Sequence, residues 1–85
     1  MKEFSYTITD KDGVHARPAG QLVKTSAKFK SSIRVYKNGK EANLKSIFSL
    51  MALNVKCGET LVLNIEGEDE AEAAVVIEDF FKSNM

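Results

Sequence analysis

One short run concentrates most of the chemistry this sequence can do. Gly13-Val14-His15-Ala16-Arg17-Pro18-Ala19 contains the chain's single histidine, a guanidinium two residues later and its single proline. Histidine is the side chain whose ordinary pKa, ~6.5, leaves a neutral imidazole available as a nucleophile near neutral pH. Arginine presents a planar fork of donors matched to phosphoryl or carboxylate oxygens. Proline is tolerated in the first turn of a helix, where its missing N–H is not needed, so Pro18 marks a helix start with His15 at or beside the cap. A helix N-terminus has unpaired N–H groups and the positive dipole end. It welcomes an anion and disfavours imidazolium, which keeps the ring neutral. A lone histidine near a helix start is more often an ordinary loop residue. Nucleophile, cationic fork and anion-friendly helix end within seven residues change that balance. No second His or Cys lies at ligand spacing, so no metal site is expected.

A second position with two uses is Ser46. It precedes Ile47, Leu50 and Met51, which share one helical face, and this makes it an N-cap whose hydroxyl accepts a backbone N–H. Phe48 lies off that face. An exposed aromatic beside the histidine region is suited to docking another protein. The lone Cys57 sits in the turn Lys56-Cys57-Gly58-Glu59, and nothing near it clearly activates a thiol.

The elements that hold these groups follow from periodicity. Phe4, Tyr6 and Ile8 alternate with polar residues as a half-buried strand does. Asp10-Lys11-Asp12-Gly13 is a turn. Ala16, Ala19, Leu22, Val23 and Ala27 recur at helical spacing. Ile33 and Val35 form a second strand. Asn38-Gly39 is a hairpin signal, because both residues accept positive φ, and Ala42 and Leu44 lie on the return strand. After the short Ser46 helix, Leu61, Leu63 and Ile65 make a fourth strand. Asp69 followed by Glu72 resembles a capping box for a last helix with Ala73, Ala74, Ile77, Phe80 and Phe81 on its apolar face. The order β-α-β-β-α-β-α predicts an α+β fold, a two-layer open-faced sandwich. Its four-stranded antiparallel sheet is covered on one side by three helices.

Length and composition bound the function. Eighty-five residues make one domain, 1–85, with no linker, repeat or low-complexity tract. A chain this short buries only about 60–65 % of its unfolded surface, which favours an open site over a deep cavity. One cysteine excludes an internal disulfide and suits a reducing compartment. No apolar run reaches the ~18–20 residues that cross a bilayer, and the N-terminal residues contain no signal-like apolar stretch, so a cytoplasmic protein without membrane insertion is expected. Twelve basic and twelve acidic groups cancel, which argues against a nucleic-acid binder. The charges are unevenly placed: residues 1–43 carry nine basic and four acidic groups, and residues 44–85 three and eight. A basic first half suits an acidic partner or phosphate.

The run Gly13–Ala19 closely resembles the active-site signature of the HPr family, the histidine-containing phosphocarriers of the bacterial phosphoenolpyruvate:sugar phosphotransferase system. Asn43-Leu44-Lys45-Ser46-Ile47-Phe48-Ser49-Leu50-Met51 resembles that family's regulatory-serine signature. Length and element order agree along the whole chain. The resemblance implies a carrier, not an autonomous enzyme, with no cofactor. His15 accepts a phosphoryl group on Nδ1 from phosphorylated enzyme I and passes it to IIA domains of sugar permeases, while Arg17 stabilises the phosphoryl oxygens. It implies regulatory phosphorylation of Ser46 by an HPr kinase/phosphorylase, creating a surface for a catabolite-repression transcription regulator. It also implies a docking surface made by Ala16, Pro18, Ala19, Gln21, Lys24, Ile47, Phe48 and Met51, with Lys28 near its rim, and a monomer that docks transiently. Two features depart from the family pattern. Asp12 stands where many members have Ser, Thr or Asn, and a carboxylate facing His15 would repel a phosphoryl group. Gly20 replaces a bulkier residue and costs up to ~1 kcal/mol of helix propensity.

A specialised paralogue, serving a nitrogen system or a dihydroxyacetone kinase, would share His15 and differ in partners. A single-stranded RNA-binding module would need aromatics on the open sheet face, for which Phe4, Tyr6 and Tyr36 are the available residues.

Overall fold

The computed structural model describes residues 1–85. Its elements are β1 (Lys2–Thr7), α1 (Ala16–Ser26), β2 (Ser32–Lys37), β3 (Lys40–Asn43), α2 (Ile47–Ala52), β4 (Thr60–Glu66) and α3 (Glu70–Asn84). The order is the one periodicity predicts. The four strands form one antiparallel sheet in the order β1-β4-β2-β3. Asn38 (φ 50°) and Gly39 (φ 82°) make the β2–β3 turn, as an Asn-Gly hairpin requires.

Register places the apolar set on one face. Phe4 pairs with Leu63, Tyr6 with Leu61, Ile33 with Ile65 and Val35 with both Leu63 and Ala42. These residues face the helices and, with Leu22, Leu44, Leu50, Ile77 and Phe81, build a single core. Phe81 of α3 packs edge-on to Phe4 at a ring separation of 6.4 Å and lies 5.4 Å from Tyr6. The other face carries Glu3, Ser5, Arg34, Tyr36, Glu41, Val62 and Asn64, the residues alternate to the core set. Phe4 and Tyr6 are therefore committed to the core, and Tyr36 is the single aromatic of the open sheet. That removes the stacking platform an RNA-binding sheet needs.

Three local expectations change. Ala27 is exposed and serves as the C-cap of α1, so the buried stripe of that helix is Pro18, Ala19, Leu22 and Ser26. Ala16 is exposed as well. Ser26 is buried at no cost in lost hydrogen bonding, because its hydroxyl donates to Leu22 O at 2.8 Å. Asp69 is the N-cap of α3, yet its side chain makes no capping bond. Its carboxylate instead accepts Lys30 N at 2.8 Å, Ser31 N at 2.9 Å and the Ser31 hydroxyl. It ties the α1–β2 loop to the head of α3, and that contact across the fold outcompetes the capping box.

Those bonds lower the pKa of Asp69, first through the Ser31 hydroxyl and then through Lys30 N. Glu59 is also lowered, first by the Lys56 N–H and then by the Lys37 ammonium. A carboxylate whose folded-state pKa is depressed stabilises the fold at any pH above its unfolded value, and that contribution disappears as pH falls through the folded value. The ordinary values are 3.8 for Asp69 and 4.5 for Glu59. Stability measured by urea titration is expected to be flat above these values and to decline below them. Asp69→Asn, which cannot titrate, should reduce the acid slope.

Candidate phosphoryl-acceptor site

β1 feeds the site through the loop 8–15. Ile8 is buried and its carbonyl accepts Gly58 N at 2.8 Å, which anchors the start of the loop. Asp10 O accepts Gly13 N at 2.9 Å, and Val14 N donates to Val55 O at 3.0 Å. Gly13 has φ +66°, and a Cβ there would lie 2.4 Å from Val55 O. Only glycine meets both the dihedral and the close approach. The loop therefore delivers His15 to a fixed point.

His15 is the N-cap of α1, with extended backbone, and its carbonyl accepts the first helical bond, from Ala19 N, at 3.0 Å. Its side chain makes no capping bond. The imidazole stands at the positive end of an eleven-residue helix, 42 % exposed. Its ring nitrogens are therefore not spent on structure. Pro18 lies in the first turn, as predicted, and is buried.

A small surface pocket of about 280 Å³ is lined by Asp10, His15, Arg17, Pro18, Gln21 and Asn84. Arg17 is exposed and reaches both this pocket and a second, shallower groove of about 590 Å³. The groove runs between α1 and α2 along Gly20, Gln21, Val23, Lys24 and Ile47. The histidine, the guanidinium and the groove thus share one face, joined through Arg17 and Gln21. On α2, Phe48 projects into solvent, Met51 is partly exposed, Ile47 is half-buried and Leu50 is in the core. The off-face placement of Phe48 is as expected. Gly20 leaves the groove open, since a Cβ there would meet nothing within 4 Å. Lys28 is exposed beyond the groove. Ala19, expected to touch partners, is fully buried. It packs into the core under the first turn of α1, and Pro18, expected in the same docking surface, is buried beside it, so the exposed residues at the head of α1 are Ala16, Arg17 and Gln21.

Ser46 caps α2, and its hydroxyl accepts Ser49 N at 3.3 Å. Removing this single, long bond by Ser46→Ala is expected to cost about 1 kcal/mol, read as a fall in Tm. The Lys45 ammonium donates to Phe29 O at 2.7 Å. Cys57 is exposed, with Sγ 3.7 Å from Thr9 O.

The acidic side of the site was not legible in the motif. One carboxylate oxygen each of Asp10 and Asp12 and a ring nitrogen of His15 lie within 4.8 Å of one another. Asp12 is therefore close enough to His15 to act on a phosphoryl group there. Asp10 is closer in kind: its Oδ2 stands 3.9 Å from His15 Nε2. The signal was present as Asp-x-Asp-Gly, which folds the loop back on itself through an Asp12 N to Asp10 Oδ1 bond of 2.9 Å.

Residues 2–83 match the family described as PTS HPr component phosphorylation site. The chain belongs to the HPr family. It is 44 % identical to the phosphocarrier protein HPr of Mycoplasma capricolum over 77 residues, which is 91 % of this chain and 86 % of that protein. Among solved structures, the histidine-containing phosphocarrier protein of a Mycoplasma superimposes with a TM-score of 0.94 at 40 % identity, covering 96 % of this chain and 93 % of that one. A Thermoanaerobacter tengcongensis HPr superimposes with a TM-score of 0.93 at 44 % identity, covering 98 % and 93 %. The fold predicted from periodicity is the HPr open-faced sandwich. The protein is thus a phosphocarrier of the phosphotransferase system and not an enzyme. No helix is long and apolar enough to cross a membrane.

Proposed function

We propose that His15 is the phosphoryl acceptor, taking the group from phosphorylated enzyme I and passing it to IIA domains of sugar permeases in the cytoplasm. The observation that carries this reading is the imidazole itself: half-exposed, at the head of α1, free of structural hydrogen bonds and beside Arg17. A helix-end interaction of about 0.3–1 kcal/mol favours the bound phosphoryl without trapping it, as a group that must be handed on requires. Arg17 supplies donors to the phosphoryl oxygens. Both partners reach the same histidine across one face, on which Ala16, Gln21 and Lys24 of α1 meet Ile47, Phe48 and Met51 of α2. The carrier works as a monomer in this scheme, since a second copy on that face would exclude the partners.

Ser46 is the regulatory position in the same scheme. Its hydroxyl is held by one long bond, and it adjoins Ile47 and Phe48. Phosphorylation by an ATP-dependent HPr kinase/phosphorylase adds close to two negative charges beside the docking face. That repels acidic partners and offers a new surface to a catabolite-repression regulator.

The test mixes the protein with enzyme I, magnesium and phosphoenolpyruvate and reads intact mass. The expected result is one added phosphoryl group that is lost in acid. No gain with enzyme I from several bacteria would overturn the sugar-system reading and leave a paralogue with other partners. Phosphate that appears only with ATP and a kinase, and survives acid, would make Ser46 the working site.

A further inference from the structure

Asp10 is held more firmly than a loop carboxylate needs to be. Its backbone N–H donates to Met85 O at 2.8 Å, and its carbonyl accepts Gly13 N at 2.9 Å. Its Oδ1 accepts Asp12 N at 2.9 Å. These three bonds fix the backbone and one carboxylate oxygen, and they leave Oδ2 directed at His15 Nε2, 3.9 Å away. Near the ring, Asp12 lies within 4.8 Å as described, and Arg17 lines the same pocket. Gln21 and Asn84 complete the pocket as uncharged neighbours.

A neutral imidazole carries its proton on one nitrogen and its nucleophilic lone pair on the other. A carboxylate beside one nitrogen stabilises the tautomer with the proton there. We infer that Asp10 is a positioning residue: it holds the proton on Nε2 of His15 and so makes Nδ1 the nitrogen that takes the phosphoryl group. This inference rests on the phosphocarrier reading of His15 and explains which atom reacts.

The transfer balances without any proton leaving the ring. The Nδ1 lone pair forms the N–P bond while the donor's bond to phosphorus breaks and its electron pair stays with the donor. The ring becomes a phosphoimidazolium that keeps its Nε2 proton, and its positive charge lies next to the Asp10 carboxylate. On onward transfer the N–P bond breaks, its pair returns to Nδ1, and the ring is again neutral with the same proton on Nε2. Asp10 thus serves both directions by opposing the positive charge that the ring acquires when loaded.

Asp10→Asn is the informative variant. Its amide oxygen can keep the bond from Asp12 N, which leaves the NH2 group facing the ring. An NH2 group can only donate, so it favours an unprotonated Nε2 and moves the proton to Nδ1. Nitrogen-15 spectra of the His15 ring, taken well above the ordinary imidazole pKa of ~6.5, report the tautomer directly and need no partner protein. The expected result is a predominant Nε2–H form in the natural protein, a shift towards Nδ1–H in Asp10→Asn, and an intermediate ratio in Asp10→Ser, which keeps a turn acceptor but places nothing on the ring. The rate of phosphorylation by enzyme I should fall about tenfold in Asp10→Asn, in line with loss of an orienting partner, with the KM for phospho-enzyme I unchanged. Asp12→Asn should leave the tautomer where it was. An unaltered tautomer in Asp10→Asn, a shift caused by Asp12→Asn instead, or an effect confined to KM would each overturn the assignment. Failure of the natural protein to be phosphorylated would count against the phosphocarrier reading alone, since the spectra do not depend on it.

Discussion

His15→Ala will accept no phosphoryl group from phosphorylated enzyme I, and it will melt close to the natural protein. Both halves follow from the same geometry. The imidazole lies on the face shared by Arg17 and the α1–α2 groove, and no second histidine exists to substitute for it. Loss of the added mass should therefore be complete rather than partial. The ring also does nothing for the fold: it caps no helix N–H, and it is 42 % exposed. Exposed substitutions away from structural features stay within about 0.5 kcal/mol. Intact-mass spectrometry and a thermal melt on the same sample check the pair. Residual acid-labile phosphate in the variant would move the acceptor elsewhere. A large fall in Tm would mean that the histidine holds structure after all.

Gly13→Ala is the second large effect, and it acts through the backbone. Gly13 sits at φ +66°, where an L side chain costs about 1–2 kcal/mol. Its new Cβ would also meet Val55 O at 2.4 Å and Lys56 Cα at 2.8 Å. Neither neighbour can swing aside as a side chain tip does, so overpacking adds about 1–3 kcal/mol. For a domain of this size, the combined loss lowers Tm by roughly 10 °C or more. The push falls on the contact in which Val14 N reaches Val55 O, the last anchor before His15. Phosphorylation should slow along with the loss of stability. Gly39→Ala is the control. Its φ of +82° carries the same backbone cost, but nothing lies within 4 Å of the added Cβ. It should lose only the smaller amount and leave phosphorylation untouched.

What was legible in the sequence was local. Alternation in Phe4-Tyr6-Ile8 and Leu61-Leu63-Ile65, the Asn38-Gly39 turn, the Pro18 helix start and the Ser46 cap each depend on neighbours a few residues apart, and each is found. What was not legible depended on residues brought together by the fold. Asp69 read as a capping residue because Glu72 follows it. Its carboxylate is taken by Lys30 and Ser31, 39 and 38 positions earlier. Ala19 read as a contact residue from its place in the motif, but the packing of α1 buries it. At the site, His15 and Arg17 were plain from the motif. The approach of Asp10 to the ring was not, because it depends on a loop whose path is set by Val55 and Met85 far along the chain.

The strand order has a consequence for how the molecule comes to exist. β2 and β3 meet across a two-residue turn and can close early, but β1 pairs with β4, so that Thr7 finds Thr60 only after the intervening chain has been gathered in. Closing a loop of that length is an entropic cost met late, after the local contacts have formed. The segment that presents His15 emerges directly from β1 and is anchored on Val55, just before β4. A nascent or partly folded chain therefore has the motif but not the site. In the proposed carrier scheme, uptake of the phosphoryl group therefore requires that β1 has already joined β4.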